Sequence, residues 1–177
     1  DYDLCETCEA KKAEPYESIR IEGSALNTLH RSFLGHTNGV SCVAYSPSGF
    51  RIITSCGNLA KIWALTSGEN IFTIQKYKSN ITAIDCSKEF IVICRGDGSF
   101  QVFYEKTGTE KDAINDGHKM WISEVKFAPD GQTFITGSLD KTAKIWCVTT
   151  CSNKTTLYGH TGHVTSVAYN KDGNKVV

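Results

Sequence analysis

The chain of 177 residues is long enough for one ordinary domain, and its 40% hydrophobic and 21% charged residues are typical of a globular protein. Its 19 Lys and Arg balance 19 Asp and Glu, which disfavours binding to nucleic acid or to an anionic membrane surface. The longest apolar run, residues 90–94, is far shorter than the ~18 residues that a membrane span needs. We therefore expect neither nucleic acid nor membrane as a partner.

The chain opens with the letters DYDLCETC, in which Cys5 and Cys8 form a Cys-x-x-Cys pair. This spacing suits zinc because a tight turn brings both thiolates to one metal ion. Residues 1–10 resemble the end of a ZZ-type zinc finger, which implies that the pair supplies half of one zinc site. The other ligands would have to lie upstream, so we expect no cofactor in this chain itself. The alternative is a linker with two ordinary cysteines, and residues 11–32 are predicted to be linker in both cases.

From residue 35 to residue 177 the chain repeats one pattern in four successive units. The first unit, residues 35–75, contains four predicted strands, at 40–45, 51–56, 59–65 and 70–75. Turn-forming triplets at 47–49 and 67–69 separate them. Both alternating phases of 40–45 carry apolar residues, which is typical of a strand that is covered on both faces. The unit is therefore predicted to be a sheet packed between other sheets.

The next units follow the same plan with different regularity. The second, residues 76–115, has predicted strands at 81–86, 90–94, 99–104 and 110–114, but its first turn is short and it lacks a Gly-His pair. The third, residues 117–156, is the clearest copy, and the fourth, residues 157–177, stops inside its second strand. Helical periodicity is absent from all of them, so the predicted class is all-β.

Three segments repeat the same pattern: VSCVAYSPSG from Val40, ISEVKFAPDG from Ile122 and VTSVAYNKDG from Val164. Gly-His pairs precede them at residues 35–36, 117–118 and 159–160, at intervals of 82 and 42 residues. A unit of 41 or 42 residues fits both intervals and is typical of propeller blades. Residues 33–177 resemble the WD-repeat family of β-propellers. The resemblance implies a partial propeller of four-stranded antiparallel blades, with three blades and the start of a fourth, after a short irregular stub.

The third unit matches the family's buried polar tetrad at His118, Thr136, Asp140 and Trp146, with separations of 18, 4 and 6 residues. The resemblance implies that the indole N–H meets the Thr hydroxyl, which meets the His, which meets the Asp. Such a set is stable only when every buried donor and acceptor has a partner. The other units depart from the pattern: the first has His36, Thr54, Asn58 and Trp63, and the second keeps Asp97 alone.

The histidines and acidic residues that could suggest hydrolytic chemistry are accounted for by these tetrads, so we expect no enzymatic activity. The resemblance implies a non-catalytic scaffold or adaptor that binds proteins or peptides, with a small-molecule substrate not expected. The expected contact residues lie on the face that carries the blade-joining loops: Trp121, Met120, Lys119, Asn38 and Arg95. Trp121 is the best candidate anchor, although packing against a blade edge is an equally good interpretation of it.

Two alternative functions remain open from the sequence. One is a ZZ-finger and WD-repeat adaptor in ubiquitin-linked or autophagic recognition, and the other is the propeller arm of a larger kinase or ligase. The cysteines in or beside predicted strands indicate a reducing compartment, hence a cytoplasmic or nuclear protein. The start at Asp1 and the stop at Val177 inside a repeat predict a fragment of a longer chain.

Overall fold

The computed structural model describes residues 20–21, 31–75 and 78–177. Every regular element in these ranges is a β-strand, which confirms the predicted all-β class. Across the same ranges, no helix is long and apolar enough to cross a membrane. The predicted zinc ligands Cys5 and Cys8 lie outside the described residues, so the zinc site stays a prediction.

Three antiparallel four-stranded sheets follow one another along the chain, and we call them blades one, two and three. A short pair, β1 (Arg20–Ile21) and β2 (Arg31–Ser32), precedes them. Blade one contains β3 (Cys42–Tyr45), β4 (Arg51–Cys56), β5 (Leu59–Ala64) and β6 (Asn70–Ile74). Blade two contains β7 (Ile81–Cys86), β8 (Phe90–Arg95), β9 (Phe100–Tyr104) and β10 (Glu110–Ile114). Blade three contains β11 (Ile122–Phe127), β12 (Thr133–Ser138), β13 (Ala143–Cys147) and β14 (Asn153–Leu157).

Each blade is a simple meander in which spatial order follows chain order. The first strands β3, β7 and β11 lie side by side, so the sheets fan out from a shared inner edge. The loops that enter each blade and the turns between second and third strands therefore share one side, which we call the upper face. The turns between first and second strands, and between third and fourth strands, share the lower face.

The apolar core lies between the blades. One cluster joins blades one and two through residues such as Ile53, Ile62 and Ile91. A second cluster joins blades two and three around Phe100 and Phe134, whose ring centroids are 5.4 Å apart in an edge-to-face arrangement. Blade two is thus covered on both faces, which explains why its strands carry apolar residues in both phases.

Hydroxyl groups at one repeat spacing tie the blades together near the inner edge. Thr82 Oγ1 donates to the carbonyl oxygen of Ile122 in the next blade at 2.6 Å. Ser123 Oγ donates in the same way to the carbonyl oxygen of Val164 at 2.5 Å. These bonds connect the inner edges of neighbouring blades and help to fix the position of each blade against the next.

The start of a fourth blade follows β14. Val164 and Val167 pack against Ile135 of blade three. Backbone bonds in both directions between Ala168 and Val177, 2.9 and 3.0 Å long, begin its first hairpin. Three blades and the beginning of a fourth are therefore present, as predicted.

The pair β1 and β2 lies inside the segment predicted to be linker. Arg20 pairs with Ser32 and Ile21 with Arg31. The same separations along the chain occur in blade three, where Lys144 pairs with Thr156 and Ile145 with Thr155. The pairing thus has the register of a blade's third and fourth strands, which the sequence analysis did not anticipate.

Candidate functional site

Four side chains of blade three form one hydrogen-bonded chain. Trp146 Nε1 donates to Thr136 Oγ1 at 2.9 Å, and the Thr136 hydroxyl donates to His118 Nε2 at 2.7 Å. His118 Nδ1 then donates to an Asp140 carboxylate oxygen at 2.9 Å. The directions follow from chemistry, because an indole N–H can only donate and an ionised carboxylate can only accept. Burial favours the neutral imidazole of His118, which then carries its proton on Nδ1 and accepts the Thr136 hydroxyl at Nε2.

The pKa values of His118 and Asp140 agree with this pattern of hydrogen bonds. Burial lowers the pKa of His118, although the bond to Asp140 opposes the change. Burial alone would raise the pKa of Asp140, but hydrogen bonds from Thr142, from the backbone N–H of Lys119 and from His118 outweigh it and lower the pKa to about 2. The carboxylate thus ties the loop that carries His118 to the turn between β12 and β13.

Blade one has a shorter version of the same chain. His36 Nε2 lies 2.6 Å from Thr54 Oγ1, and Trp63 Nε1 donates to the same oxygen at 2.8 Å. His36 Nδ1 is buried without a hydrogen-bond partner in the described part of the chain, so Asn58 does not reproduce the role of Asp140. Burial, and secondarily the charge of Lys61, lowers the pKa of His36.

Blade two replaces the tetrad with apolar packing. Ile93 and Phe103 occupy the Thr and Trp positions, and both are buried. Asp97 bonds within its own turn, where it accepts the Ser99 N–H at 3.0 Å and the Ser99 hydroxyl at 2.6 Å. Among the described residues, Asp97 therefore makes no side-chain link between this turn and the loop that enters blade two.

Arg95 was predicted to contact a partner, and its position corrects that prediction. The side chain has no exposed surface. Its Nε donates to Gln101 Oε1 at 2.6 Å and its Nη1 to the carbonyl oxygen of Ser79 at 2.9 Å. These acceptors replace part of the water that an exposed guanidinium would bind. Arg95 is thus an internal strut of blade two and leaves the predicted contact set.

The loop of residues 117–121 rests on the Gly96-Asp97-Gly98 turn of blade two. The N–H of His118 donates to the carbonyl oxygen of Gly98 at 2.9 Å. Gly98 has a φ of +86°, and a Cβ there would collide with the carbonyl oxygen of His118 and lie 3.0 Å from that of Met120. Only glycine allows both this backbone conformation and this close approach. The glycine turn therefore positions the loop that reaches the upper face.

The same loop presents apolar side chains to solvent. Met120 and Trp121 are each 48% exposed, and Lys119 beside them is exposed. Their backbone is held, because the Met120 carbonyl accepts the Ser138 hydroxyl at 3.1 Å and the Trp121 carbonyl accepts the Leu139 N–H at 3.0 Å. We call Lys119, Met120 and Trp121 the upper patch.

The WD40 family profile, described as WD domain, G-beta repeat, matches residues 27–64, 110–147 and 151–177, more than half of the chain. The chain belongs to the WD40 repeat family. The matched segments leave out most of blade two, where the tetrad is missing. They confirm the resemblance seen in the sequence.

Several curated WD-repeat relatives are similar to this chain. A stretch of 61 residues is 41% identical to small ribosomal subunit protein RACK1y of Oryza sativa subsp. japonica, covering 33% of this chain and 18% of that protein. DENN domain and WD repeat-containing protein SCD1 of Arabidopsis thaliana is 30% identical over 138 residues, 76% of this chain and 11% of that protein. Nuclear distribution protein nudF 1 of Talaromyces marneffei is 28% identical over 147 residues, 80% of this chain and 32% of that protein. The chain thus spans at most about a third of their lengths.

The structure separates the predicted contact residues of these WD repeats. Lys119, Met120 and Trp121 lie together on one loop between blades two and three. Asn38 is exposed, but it lies on the loop that enters blade one. Proteins of the WD-repeat family generally act as interaction scaffolds, and the upper patch presents two exposed apolar side chains beside the blade-three tetrad.

One buried residue on the lower face was missed by the sequence analysis. Glu105, which follows β9, is only 5% exposed and accepts the Ser46 hydroxyl at 2.8 Å and the Ser48 hydroxyl at 3.3 Å. Arg51 Nη1 forms an ion pair with it at 3.3 Å. These partners all belong to blade one, so Glu105 clamps blade two to its neighbour in the absence of a tetrad. No local motif marks it, since the partners are 54–59 residues away.

The WD repeats as described hold no group of three or more His, Cys, Asp or Glu side chains that could bind a metal ion. His118 and Asp140 are engaged in structural hydrogen bonds and largely buried. The upper patch offers apolar contact by two side chains and ionic contact by Lys119.

Proposed function

We propose that this chain is a non-catalytic scaffold whose upper patch binds a protein or peptide partner. The observation that carries the proposal is an exposed Trp and Met on a loop whose backbone is fixed at several points. Aromatic side chains held in this way lose little entropy on binding, and they are common anchors at protein interfaces.

Two neighbouring elements support the loop and favour a preformed site. The tetrad holds His118 at its start, and the glycine turn of blade two lies beneath it. A Cβ at Gly96 would lie 3.5 Å from Trp121 Cε3, so the indole rests on this turn with part of its surface uncovered. This contact accounts for the packing interpretation of Trp121, while its exposed half supports a role in binding.

The rest of the proposal follows from composition and family. Equal numbers of acidic and basic residues favour a protein or peptide over nucleic acid as the partner. We place the protein in the cytoplasm or nucleus and assign it no catalytic residues and no cofactor of its own. The partner is expected to offer an apolar side chain to Trp121 and a carboxylate to Lys119.

The test replaces Trp121 with a photo-cross-linking phenylalanine analogue in the protein expressed in cells, and identifies the cross-linked proteins. Phe50 is the matched control position, because it is 66% exposed and lies on the lower face. The affinity of an identified partner is then measured for Trp121→Ala and Phe50→Ala. We expect cross-links specific to position 121 and a loss of affinity of about 30-fold for Trp121→Ala alone.

Two outcomes would contradict the proposal. One is the same set of cross-linked proteins at both positions. The other is an unchanged affinity in Trp121→Ala, provided that its thermal unfolding matches that of the wild type.

A further inference from the structure

The lower face carries a cleft that arises from a difference in turn length. The turns between first and second strands span residues 46–50 in blade one and 128–132 in blade three, but only 87–89 in blade two. The short turn lies between two longer ones and leaves a recess. The recess has a volume of about 370 Å³ and is lined by residues of all three turns.

The walls of this cleft are ordered by the backbone. The Ser87 hydroxyl accepts the N–H of Glu89 at 3.3 Å and of Phe90 at 3.1 Å, which caps the short turn. A Cβ at Gly131 would lie 3.2 Å from the Cβ of Ser87, so the turns of blades two and three are in close contact. The carbonyl of Glu89 accepts the Glu105 N–H at 2.8 Å. The cleft is therefore a preformed depression between fixed turns.

The lining combines apolar walls with an excess of negative charge. Pro47, Phe127 and Pro129 supply the apolar surface. Asp85, Glu89 and Asp130 contribute three carboxylates, against the single ammonium group of Lys88. Because field lines concentrate in a recess with low-dielectric walls, this excess acts more strongly than it would on an open surface.

The negative charge of Asp85, the innermost of the three carboxylates, is only partly balanced by the groups around it. Its Oδ2 accepts the Phe127 N–H at 2.6 Å. Burial raises its pKa, and the bonds from the Phe127 and Cys86 N–H groups and the charge of Lys126 offset this only in part, with Glu124 acting in the same direction as burial. A cation placed in the cleft would supply the missing compensation.

We propose that this cleft is a second docking site, which takes an arginine side chain of a partner protein. A guanidinium fits better than an ammonium group, because it pairs with two carboxylates and stacks flat on Phe127 and the prolines. The site faces away from the upper patch and does not depend on the function proposed for it. A chain with both sites would hold two partners on opposite faces.

The test uses two small probes, acetyl-Gly-Arg-Gly-amide and the same peptide with citrulline, which has the same shape without the charge. Titration into the ¹⁵N-labelled chain is followed by amide chemical shifts. The arginine peptide is expected to shift amides of the turns at 87–89 and 128–132, with citrulline binding at least about tenfold more weakly.

Variants separate the cleft from general charge attraction. Glu89→Gln with Asp130→Asn should weaken arginine binding about tenfold, and Lys88→Gln should strengthen it, while Glu69→Gln on another lower turn should change nothing. Inserting Ser-Gly after Lys88 lengthens the short turn and should abolish binding with every carboxylate retained. Equal binding of citrulline, shifts spread over the whole surface, or unchanged binding in the insertion variant would each overturn the proposal.

Discussion

Replacing Asp140 with alanine removes the acceptor at the end of the blade-three tetrad. The carboxylate accepts His118 Nδ1–H at 2.9 Å, the N–H groups of Lys119 and Thr142 at 3.0 Å each, and the Thr142 hydroxyl at 2.6 Å. The Lys119 and Thr142 groups lie near the surface, where water can replace the lost acceptor. The side chain of His118 is fully buried, so its Nδ1–H would retain the Thr142 hydroxyl, 3.3 Å away, as a poorer acceptor.

The magnitude follows from these two kinds of loss. A buried donor left without a well-placed acceptor costs about 1–3 kcal/mol, and the lost charge-assisted bonds nearer the surface add about 1 kcal/mol. We therefore expect Asp140→Ala to lower the free energy of unfolding by about 2–4 kcal/mol. Asp97→Ala is the matched control, because the hydrogen bonds of its carboxylate among the described residues lie within its own turn, and it should cost about 1 kcal/mol or less.

The assay is urea unfolding of the wild type and both variants, followed by tryptophan fluorescence and circular dichroism. Because repeat proteins can unfold in parts, hydrogen exchange of the Thr136 amide gives a second, local measure. Equal losses in the two variants would refute the assignment of Asp140 to a buried tetrad, since among the described residues the Asp97 carboxylate accepts from Ser99 and not from a histidine.

The pH dependence provides a further arm of the same experiment. The pKa of Asp140 falls from 3.8 to about 2 on folding. A carboxyl group with a lowered pKa contributes stability that is fully present above its unfolded pKa and is lost as pH falls through its folded pKa. The difference in unfolding free energy between wild type and Asp140→Asn should therefore be nearly constant above about pH 5 and shrink between about pH 5 and about pH 1.

Three other outcomes are expected. Gly98→Ala should destabilise the chain by about 3 kcal/mol in urea unfolding, because residue 98 has a positive φ and a Cβ there would collide with His118. The control Gly49→Ala, at a φ of +79° but with open space around it, should cost about 1 kcal/mol. Similar costs for the two variants would contradict the close approach at Gly98. Glu105→Ala should cost about 2–3 kcal/mol by the same method, and an effect near zero would show that the clamp is not formed. Hydrogen bonds from the Thr150 hydroxyl and from the Thr150 and Thr149 N–H groups lower the pKa of Cys147 to about 7. Iodoacetamide at pH 7 should therefore modify it before the other cysteines that the structure describes, and peptide mapping that finds another of them first would contradict this.

The sequence was sufficient to predict the blades because each one repeats a local pattern of strand, turn and strand. The tetrad positions were recognisable because His118, Thr136, Asp140 and Trp146 stand at the separations that the WD-repeat resemblance implies. Arg95 was misplaced because a charged residue beside a turn normally faces solvent. Its burial depends on Gln101 and on the carbonyl of Ser79, which no local pattern specifies.

Other features were hidden for physical reasons of their own. Glu105 looks like any acidic residue in a turn, because its partners lie in another blade. The pairing of β1 and β2 was not predicted, because residues 11–32 are polar and because Glu22 stands at the position that corresponds by this register to Trp146. The cleft of the lower face required comparison of three turns in space, although the short turn of blade two was visible in the sequence.

The hydroxyl ties of Thr82 and Ser123 have a consequence for how the chain assembles. Each tie joins residues about one repeat apart, so a finished blade offers a donor to the inner strand of the blade that follows it. The folding of each blade is then coupled to that of its nearest neighbours, as in a one-dimensional array. During synthesis the array can grow one blade at a time, and a substitution in one blade alters the folding of the adjoining blade more than that of the blade beyond it.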